Sequence, residues 1–207
     1  MKVLMINGSP NEKGCTYTAL EEVAGALQAE GIQTEILWIG RRQVRGCVGC
    51  RSCTKLENRC IYDDDITNEF LAKAAEADGY VIGSPVYFAS PNGDLISLLD
   101  RMFFAGKCLS YKPAAAVVSA RRAGTTASLE VLHKYFMIRN MPVVSSRYWT
   151  MVHGNTPEEV KQDLEGMQTM RILGKNMAWM LHCLEAGKEA GIRLPEAEQP
   201  VRTSFIR

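Results

Sequence analysis

The regular alternation of short apolar runs with amphipathic segments is the feature that most restricts the fold of this 207-residue chain. The apolar runs predict strands at Lys2–Ile6, Gln33–Trp38, Gly79–Gly83, Ala114–Ser119 and Pro142–Ser145. Apolar residues spaced by three and four predict helices at Thr16–Glu30, Ile66–Ala75, Asp94–Phe104, Thr126–Ile138 and Pro157–Leu184. Strands that alternate with helices form parallel sheets covered on both faces. The sequence therefore predicts a doubly wound α/β domain with a five-stranded parallel sheet.

The chain shows no internal repeat and no interdomain linker, so residues 1–187 are predicted to form one domain. Residues 188–207 contain two prolines and mixed charges, and they are expected to form a loosely packed tail. The connection after the second strand, residues 40–65, far exceeds the roughly two to six residues typical of such connections. It holds four of the seven cysteines. We therefore interpret it as a functional, cysteine-rich insert.

Composition excludes several classes of partner. Lys and Arg together number 24 and Asp and Glu 23, so no global charge favours nucleic acid or an anionic membrane. No apolar run approaches the length of a membrane span, and the apolar start, Val3–Ile6, is too short for a signal peptide. Clustered cysteines without an export signal favour a reducing compartment. The sequence predicts a cytoplasmic protein.

The first strand leads directly into a polar loop, Gly8-Ser-Pro-Asn-Glu-Lys-Gly-Cys-Thr16, and then into a helix. Glycines, hydroxyls and a helix N-terminus at the carboxyl end of a strand favour an anion. The glycine spacing does not fit a dinucleotide fingerprint, and Lys13 precedes glycine rather than the Ser or Thr of a nucleoside triphosphate loop. The loop predicts a site for a phosphate monoester. A Gly/Ser/Pro turn with an ordinary Thr cap is the alternative interpretation.

A second loop, Ser84–Gly93, follows the third strand. It is aromatic and stiffened by prolines, and at the carboxyl end of a strand such a loop can form the wall for a flat ring. Two capped turns with packed aromatics remain the alternative interpretation.

The two loops, together with a third at Ser119–Thr125, resemble those of the NADPH-dependent FMN reductase and iron–sulfur flavoprotein branch of the flavodoxin-like superfamily. The shared motifs are Gly-Ser-Pro…Gly-x-Thr at the first loop and Ser-Pro-Val-Tyr…Gly-x-Leu…Asp-Arg from Ser84 to Arg101. The resemblance covers nearly the whole chain. It implies a flavodoxin-like fold and one tightly bound FMN, rather than FAD or NAD.

The resemblance also implies which residues contact the flavin. Around the phosphate it places Ser9, Asn11, Cys15 and Thr16, although many relatives carry Arg or Lys near position 11 and Asn at position 15. Along the ring system it places Pro85, Val86, Tyr87 and Phe88 from the second loop and Ala120, Arg121 and Gly124 from the third. It implies no catalytic acid or base, because the cofactor supplies the chemistry and the protein orients it.

Three cysteines of the insert, Cys47, Cys50 and Cys53, are each separated by two residues, and Cys60 follows after six more. Thiolates at this spacing can hold a [4Fe–4S] cluster, and the motif resembles that of iron–sulfur flavoproteins. Zinc, metal-free redox thiols and an empty site remain alternatives. Cys108 and Cys183 are interpreted as ordinary buried cysteines.

The resemblance implies an oxidoreductase in which NAD(P)H reduces FMN, and FMN then reduces a flavin, a quinone or another small acceptor. A cluster would add a ferredoxin-like donor. The alternative is a non-enzymatic electron carrier loaded and unloaded by partner proteins. A homodimer or homotetramer is expected, because the family's flavin loops lie near subunit contacts and the long final helix offers apolar surface beyond one sheet face. The methionines of that helix are expected in the core or an interface.

Overall fold

The structure, a computed structural model, describes residues 1–41 and 43–205. Arg42 of the insert and residues 206–207 of the tail lie outside the described residues. The strands are β1 (Lys2–Asn7), β2 (Gln33–Trp38), β3 (Gly79–Tyr87), β4 (Ser90–Pro91), β5 (Ala114–Ala120) and β6 (Met151–His153). The helices are α1 (Cys15–Ala29), α2 (Thr67–Glu76), α3 (Gly93–Ala105), α4 (Thr125–Met137), α5 (Pro157–Gln162) and α6 (Leu164–Glu189).

The five longer strands form a parallel sheet in the order β2-β1-β3-β5-β6, which confirms the predicted sheet. The short β4 pairs antiparallel with the end of β3. The chain starts in the middle of the sheet, builds outward to β2 and then returns past β1 to β3. At such a reversal the loops after two neighbouring strands diverge and leave a crevice where ligands bind.

Two hydrophobic cores lie on opposite faces of the sheet. Helices α1 and α6 cover one face, and α2, α3 and α4 cover the other. Along β1, Val3 and Met5 contribute to the first core and Leu4 and Ile6 to the second, and all four are 0% exposed. Burial on both faces explains why the strand is continuously apolar rather than alternating.

The prediction of the fifth strand at Pro142–Ser145 is wrong. Val143 makes only an isolated bridge to Ala114, and the edge strand is β6, where Met151 pairs with Val118. Met151 lies eight residues after Val143, whereas Val118 lies only four residues after Ala114. The polar and aromatic residues 145–149 therefore loop out of the sheet and are exposed or half-buried. The Thr150 hydroxyl donates to the Ala116 carbonyl at 2.6 Å and returns the chain to the sheet.

The single final helix predicted at Pro157–Leu184 is two helices. Asp163 separates them, and its carboxylate accepts the Gly166 N–H at 2.9 Å, which caps a new helix. The methionines Met167, Met170 and Met177 are buried against α1, which confirms that they belong to the core. Helix α6 ends at Glu189, within the predicted tail, and residues 192–205 have no regular structure.

Between β2 and α2 the described part of the insert contains one short 3₁₀ turn at Ser52–Lys55. None of the helices in residues 1–41 and 43–205 combines the length and apolar composition that a membrane span requires.

We expect Gly83→Ala to destabilise the protein by about 1–3 kcal/mol, the usual cost of overpacking a core. A Cβ on Gly83 would lie 2.8 Å from Leu20 and 2.9 Å from Thr16, both of which are buried. The matched control is Gly25→Ala on the exposed side of α1, where a Cβ meets nothing within 4 Å. That change should stabilise the protein by about 0.5–1 kcal/mol. Urea unfolding measures both, and equal shifts for the two variants would contradict the packing described here.

Candidate functional site

Three loops meet at the carboxyl edge of the sheet: the β1–α1 loop (8–14), the β3–β4 turn (88–89) and the β5–α4 loop (121–124). The Gly8 N–H donates to the Gly83 carbonyl at 2.8 Å, and a Cβ on Gly8 would lie 2.7 Å from that oxygen. Gly124 has a φ of +91°, and a Cβ there would lie 2.7 Å from the Cα of Ala89. Glycine is therefore required at both positions for the loops to approach this closely.

Asn7, the last residue of β1, holds the first loop in shape. It is 0% exposed, its Nδ2 donates to the Glu12 carbonyl at 2.9 Å, and its Oδ1 accepts the Ser9 N–H at 3.1 Å. The indole of Trp38, at the end of β2, donates to the Ser9 carbonyl at 2.7 Å. Sequence reasoning missed both residues. The available signal was a polar residue closing an otherwise apolar strand immediately before a glycine.

Hydroxyl groups lie beneath this loop. The Ser9 hydroxyl accepts the Asn11 N–H at 3.1 Å, so its own proton is not used in that bond. The hydroxyls of Thr16 and Ser119 are 2.8 Å apart, and both residues are buried. One bond between two hydroxyls uses only one of their two protons. The pair therefore joins the first turn of α1 to β5 and keeps a donor for a further acceptor.

The N-terminus of α1 points out of the same loop. Gly14 occupies the N-cap position, and within the described residues no side chain caps this helix. Uncapped N–H groups and the helix dipole favour an anion here. Burial, reinforced by the charges of Glu159 and Glu158, raises the pKa of the Cys15 thiol, so this side chain stays neutral beside that anion site. Asn11 is exposed on the outer side of the loop.

The β3–β4 turn presents aromatic side chains at this edge. Tyr87 is 44% exposed and Phe88 is fully exposed, while Pro85 and Val86 behind them are half-buried. Phe88 and Ala89 adopt φ angles of 50° and 58°, a conformation that costs non-glycine residues about 1–3 kcal/mol each. Strain of this kind persists where the surroundings impose it, often at ligand-binding sites. The turn therefore offers an exposed aromatic wall.

The third loop completes the edge. Ala120 is 8% exposed at the end of β5 and Arg121 is exposed immediately after it. The Ala120 carbonyl accepts the Gly154 N–H at 3.1 Å, and the neighbouring His153 places its Nδ1 3.7 Å from the Asp163 carboxylate. The structure thus brings the phosphate, ring and third-loop residues predicted from the sequence to one edge of the sheet.

The four cysteines of the insert line a second site, a small cleft of about 20 Å³. Cys47 and Cys50 are exposed, Cys53 is half-buried and Cys60 is buried. Among the residues that the structure describes, no group of three or more His, Cys, Asp or Glu side chains is already arranged to hold a metal ion. Hydrogen bonds from the Ser52 backbone amide and side chain lower the pKa of the Cys50 thiol, which favours its thiolate form.

Arg101, near the end of α3, forms the inner wall of this cleft and is 2% exposed. Its Nε lies 3.4 Å from the Cys60 sulfur, its Nη2 donates to the Tyr62 carbonyl at 2.9 Å, and its Nη1 contacts the Arg45 carbonyl at 3.3 Å. Nη1 also pairs with the Asp65 carboxylate. Sequence reasoning placed Arg101 in a motif but assigned it no partner.

The Arg101–Asp65 pair is buried in charged form. Burial opposes the charge on Arg101, but its bonds to Cys60 and Asp65 outweigh this and raise its pKa. Burial would likewise raise the pKa of Asp65, but hydrogen bonds from Thr67, the Arg45 amide and Arg101 bring it below its ordinary value. Asp65 also accepts the Thr67 N–H at 3.0 Å, at the start of α2.

The remaining cysteines differ from the prediction. Cys108 is half-buried, and its N–H donates to the Asn58 side chain at 3.0 Å. Cys183 is exposed on α6, so its assignment as a buried cysteine is wrong. Cys183 lies on the last turns of α6, where Leu181 is buried but residues 182–186 are all exposed.

Comparison with known proteins identifies the fold and the family. The family model described as NADPH-dependent FMN reductase matches residues 1–156. The chain belongs to this family. An iron–sulfur flavoprotein of Methanocaldococcus jannaschii is 37% identical over 187 residues, which cover 86% of this chain and 96% of the relative. An iron–sulfur flavoprotein of Methanosarcina thermophila is 27% identical over 199 residues, which cover 91% of this chain and 100% of the relative.

Solved structures confirm the flavodoxin-like fold of this FMN reductase family member. An NAD(P)H:quinone oxidoreductase from Methanothermobacter marburgensis superposes with a TM-score of 0.64 at 17% identity, covering 86% of this chain and 96% of that one. A flavodoxin from the domain Archaea gives 0.58 at 13% identity, covering 88% and 99%. With the family assignment, the chain is an FMN-dependent oxidoreductase.

We expect Asn7→Ala to weaken FMN binding and to destabilise the protein by about 1–3 kcal/mol, because a buried amide and a carbonyl lose their partner. The matched control is Asn155→Ala, an exposed asparagine at the same edge, which should change neither property. Fluorescence titration with FMN and urea unfolding measure the two effects. Wild-type affinity and stability in Asn7→Ala would show that this side chain does not organise the loop.

Proposed function

We propose that the three-loop edge binds FMN, that NAD(P)H reduces it there, and that a small acceptor such as a flavin or a quinone reoxidises it. The observation that carries the proposal is the position of the uncapped α1 N-terminus beside the exposed aromatic turn. One edge of the sheet thus combines an anion site with a planar wall, which suit the single phosphate and the flat ring system of FMN.

The first loop would hold the phosphate. The backbone N–H groups at the start of α1 supply donors, and the hydroxyls of Ser9 and Thr16 supply the others. Thr16 acts in concert with Ser119, since their hydroxyls already share one hydrogen bond. Cys15 remains a neutral neighbour, and Asn11 approaches from the exposed side.

The second and third loops would hold the ring system. Pro85, Val86, Tyr87 and Phe88 form one wall, and Ala120, Arg121 and Gly124 approach from the other side. FMN, once bound, supplies the transfer of hydride or electrons. The protein's part is orientation: Gly124 lets the third loop pack against the Cα of Ala89, and Asn92 caps α3 immediately behind the turn with bonds to Asp94 and Leu95 at 2.9 and 3.1 Å.

The cysteine cleft would hold a [4Fe–4S] cluster through Cys47, Cys50, Cys53 and Cys60. The donor set supports this, because four thiols line one cleft and hydrogen bonds favour the thiolate of Cys50. The described residues do not preform the site, so metal binding would have to draw the exposed Cys47 and Cys50 inward. A cluster would allow one-electron exchange with a ferredoxin-like protein. Zinc or metal-free thiols are the competing occupants.

One anaerobic preparation tests both cofactors and the reaction. After reconstitution with iron and sulfide, the protein should contain about one FMN and about four irons per chain, and it should oxidise NADPH or NADH continuously with a flavin or quinone acceptor. The variant Cys50→Ser/Cys53→Ser should lose the iron and keep the FMN. Cys183→Ser, which changes an exposed cysteine outside the cleft, is the control and should lose neither.

The same preparation separates the alternatives. Released FAD, or no flavin under saturating conditions, would contradict the FMN assignment. Zinc in place of iron, or no metal, would contradict the cluster. FMN reduction without turnover of any small acceptor would favour the carrier that exchanges electrons only with partner proteins.

We also propose that two or more copies associate through the flavin edge. Tyr148 and Trp149, in the loop before β6, stack edge to face with ring centroids 4.9 Å apart, yet they are 53% and 59% exposed. Phe88 in the β3–β4 turn of the flavin edge is fully exposed. Exposed aromatic residues of this kind are typical of subunit contacts. Light scattering should give a particle mass at least twice the 23.0 kDa mass of one chain. The variant Trp149→Glu should lower that particle mass, because it places a charge on the proposed contact. A 23.0 kDa particle at micromolar concentration would count against association.

A further inference from the structure

The buried guanidinium of Arg101 contacts both ends of the cysteine segment, defined here as residues 45–62. Its Nη1 reaches the carbonyl of Arg45, two residues before Cys47, and its Nη2 reaches the carbonyl of Tyr62, two residues after Cys60. The two ends of a long irregular loop are therefore brought together by one side chain from α3. Closing such a loop costs conformational entropy, which the hydrogen bonds of a fixed group offset.

The same guanidinium touches one of the four thiols. Its Nε lies 3.4 Å from the Cys60 sulfur, and Asp65 balances the positive charge from the other side. The Arg101 and Asp65 side chains are 1% and 5% exposed, so water screens this charge arrangement little. Hydrogen bonds to cluster sulfurs and the nearby charge are the protein's main means of setting a cluster potential.

Hydrogen bonding at the start of α3 fixes the position of Arg101 on that helix. The N–H of Asn92, which caps this helix, donates to the buried Ser84 hydroxyl at 3.0 Å behind the aromatic turn. Arg101 lies eight residues beyond Gly93, about 12 Å further along the helix axis. Its guanidinium is thus held on a rigid element that starts at the flavin edge.

We propose that Arg101 is the positioning residue of the cysteine site: it orders residues 45–62 and, through its N–H bond to the Cys60 sulfur, raises the potential of the cluster held there. The inference rests on the proposed [4Fe–4S] site and deepens it. Arginine is required because a lysine ammonium cannot span four acceptors that diverge in the plane of a guanidinium. Asp65 acts in the opposite sense, because its negative charge stabilises the oxidised cluster.

Two variants and one control test this assignment. Arg101→Lys keeps the positive charge but removes the planar set of guanidinium N–H donors, and Asp65→Asn removes the balancing negative charge. The control is Arg51→Lys, which changes an exposed arginine on the same cleft. In the apo protein, hydrogen exchange of residues 45–62 should accelerate by about tenfold or more in Arg101→Lys, while β1 and β5 stay protected. Arg51→Lys should exchange like the wild type.

In the reconstituted protein, EPR-monitored titration gives the cluster potential. Arg101→Lys should shift it to more negative values and Asp65→Asn to more positive values, with the FMN potential unchanged in both. A purely structural role does not predict shifts of opposite sign. Unchanged exchange in Arg101→Lys, or wild-type potentials in loaded variants, would overturn the inference. Failure of the wild type itself to take up iron would overturn the proposed cluster instead.

Discussion

The close contact between the loops after β1, β3 and β5 is the constraint on which the proposed flavin site depends. It requires the absence of a Cβ at Gly8 and Gly124, and it is tied together by the Thr16–Ser119 hydroxyl pair. Because β1, β3 and β5 are adjacent parallel strands, these three loops emerge at the same edge of the sheet. The anion site at α1 and the aromatic turn therefore face a common space, and neither loop alone would make a flavin site.

Helix α3 connects this edge of the sheet with the cysteine cleft. Its first turn is capped by Asn92 behind the aromatic turn, and its last turns carry Arg101 into the cleft. Within one chain the two proposed cofactors therefore lie toward opposite ends of one helix of 13 residues, about 20 Å long. The buried Arg101–Asp65 pair holds the insert to that helix, so a segment with little regular structure acquires a defined place beside a rigid element.

Local patterns explain what the sequence could predict. The strands, most helices and the phosphate loop follow from periodicity and from short motifs, and all of these are read within a few residues. The edge strand was misplaced because its pairing with β5 is interrupted by residues 145–149, which no local pattern reveals. The role of Arg101 was missed for a related reason: its partners lie 36 to 56 residues earlier in the chain. Long-range contacts of buried polar groups leave no periodic signature.

The central claim, that one phosphate monoester is held at the α1 N-terminus beside a flavin ring, is tested most directly by isothermal titration of the apo protein with FMN and with riboflavin. The two ligands share the ring and differ by the phosphate. The site described here predicts one FMN per chain and riboflavin binding weaker by at least about 100-fold, the loss expected when several charge-assisted hydrogen bonds are removed. Equal affinities for the two ligands would contradict it.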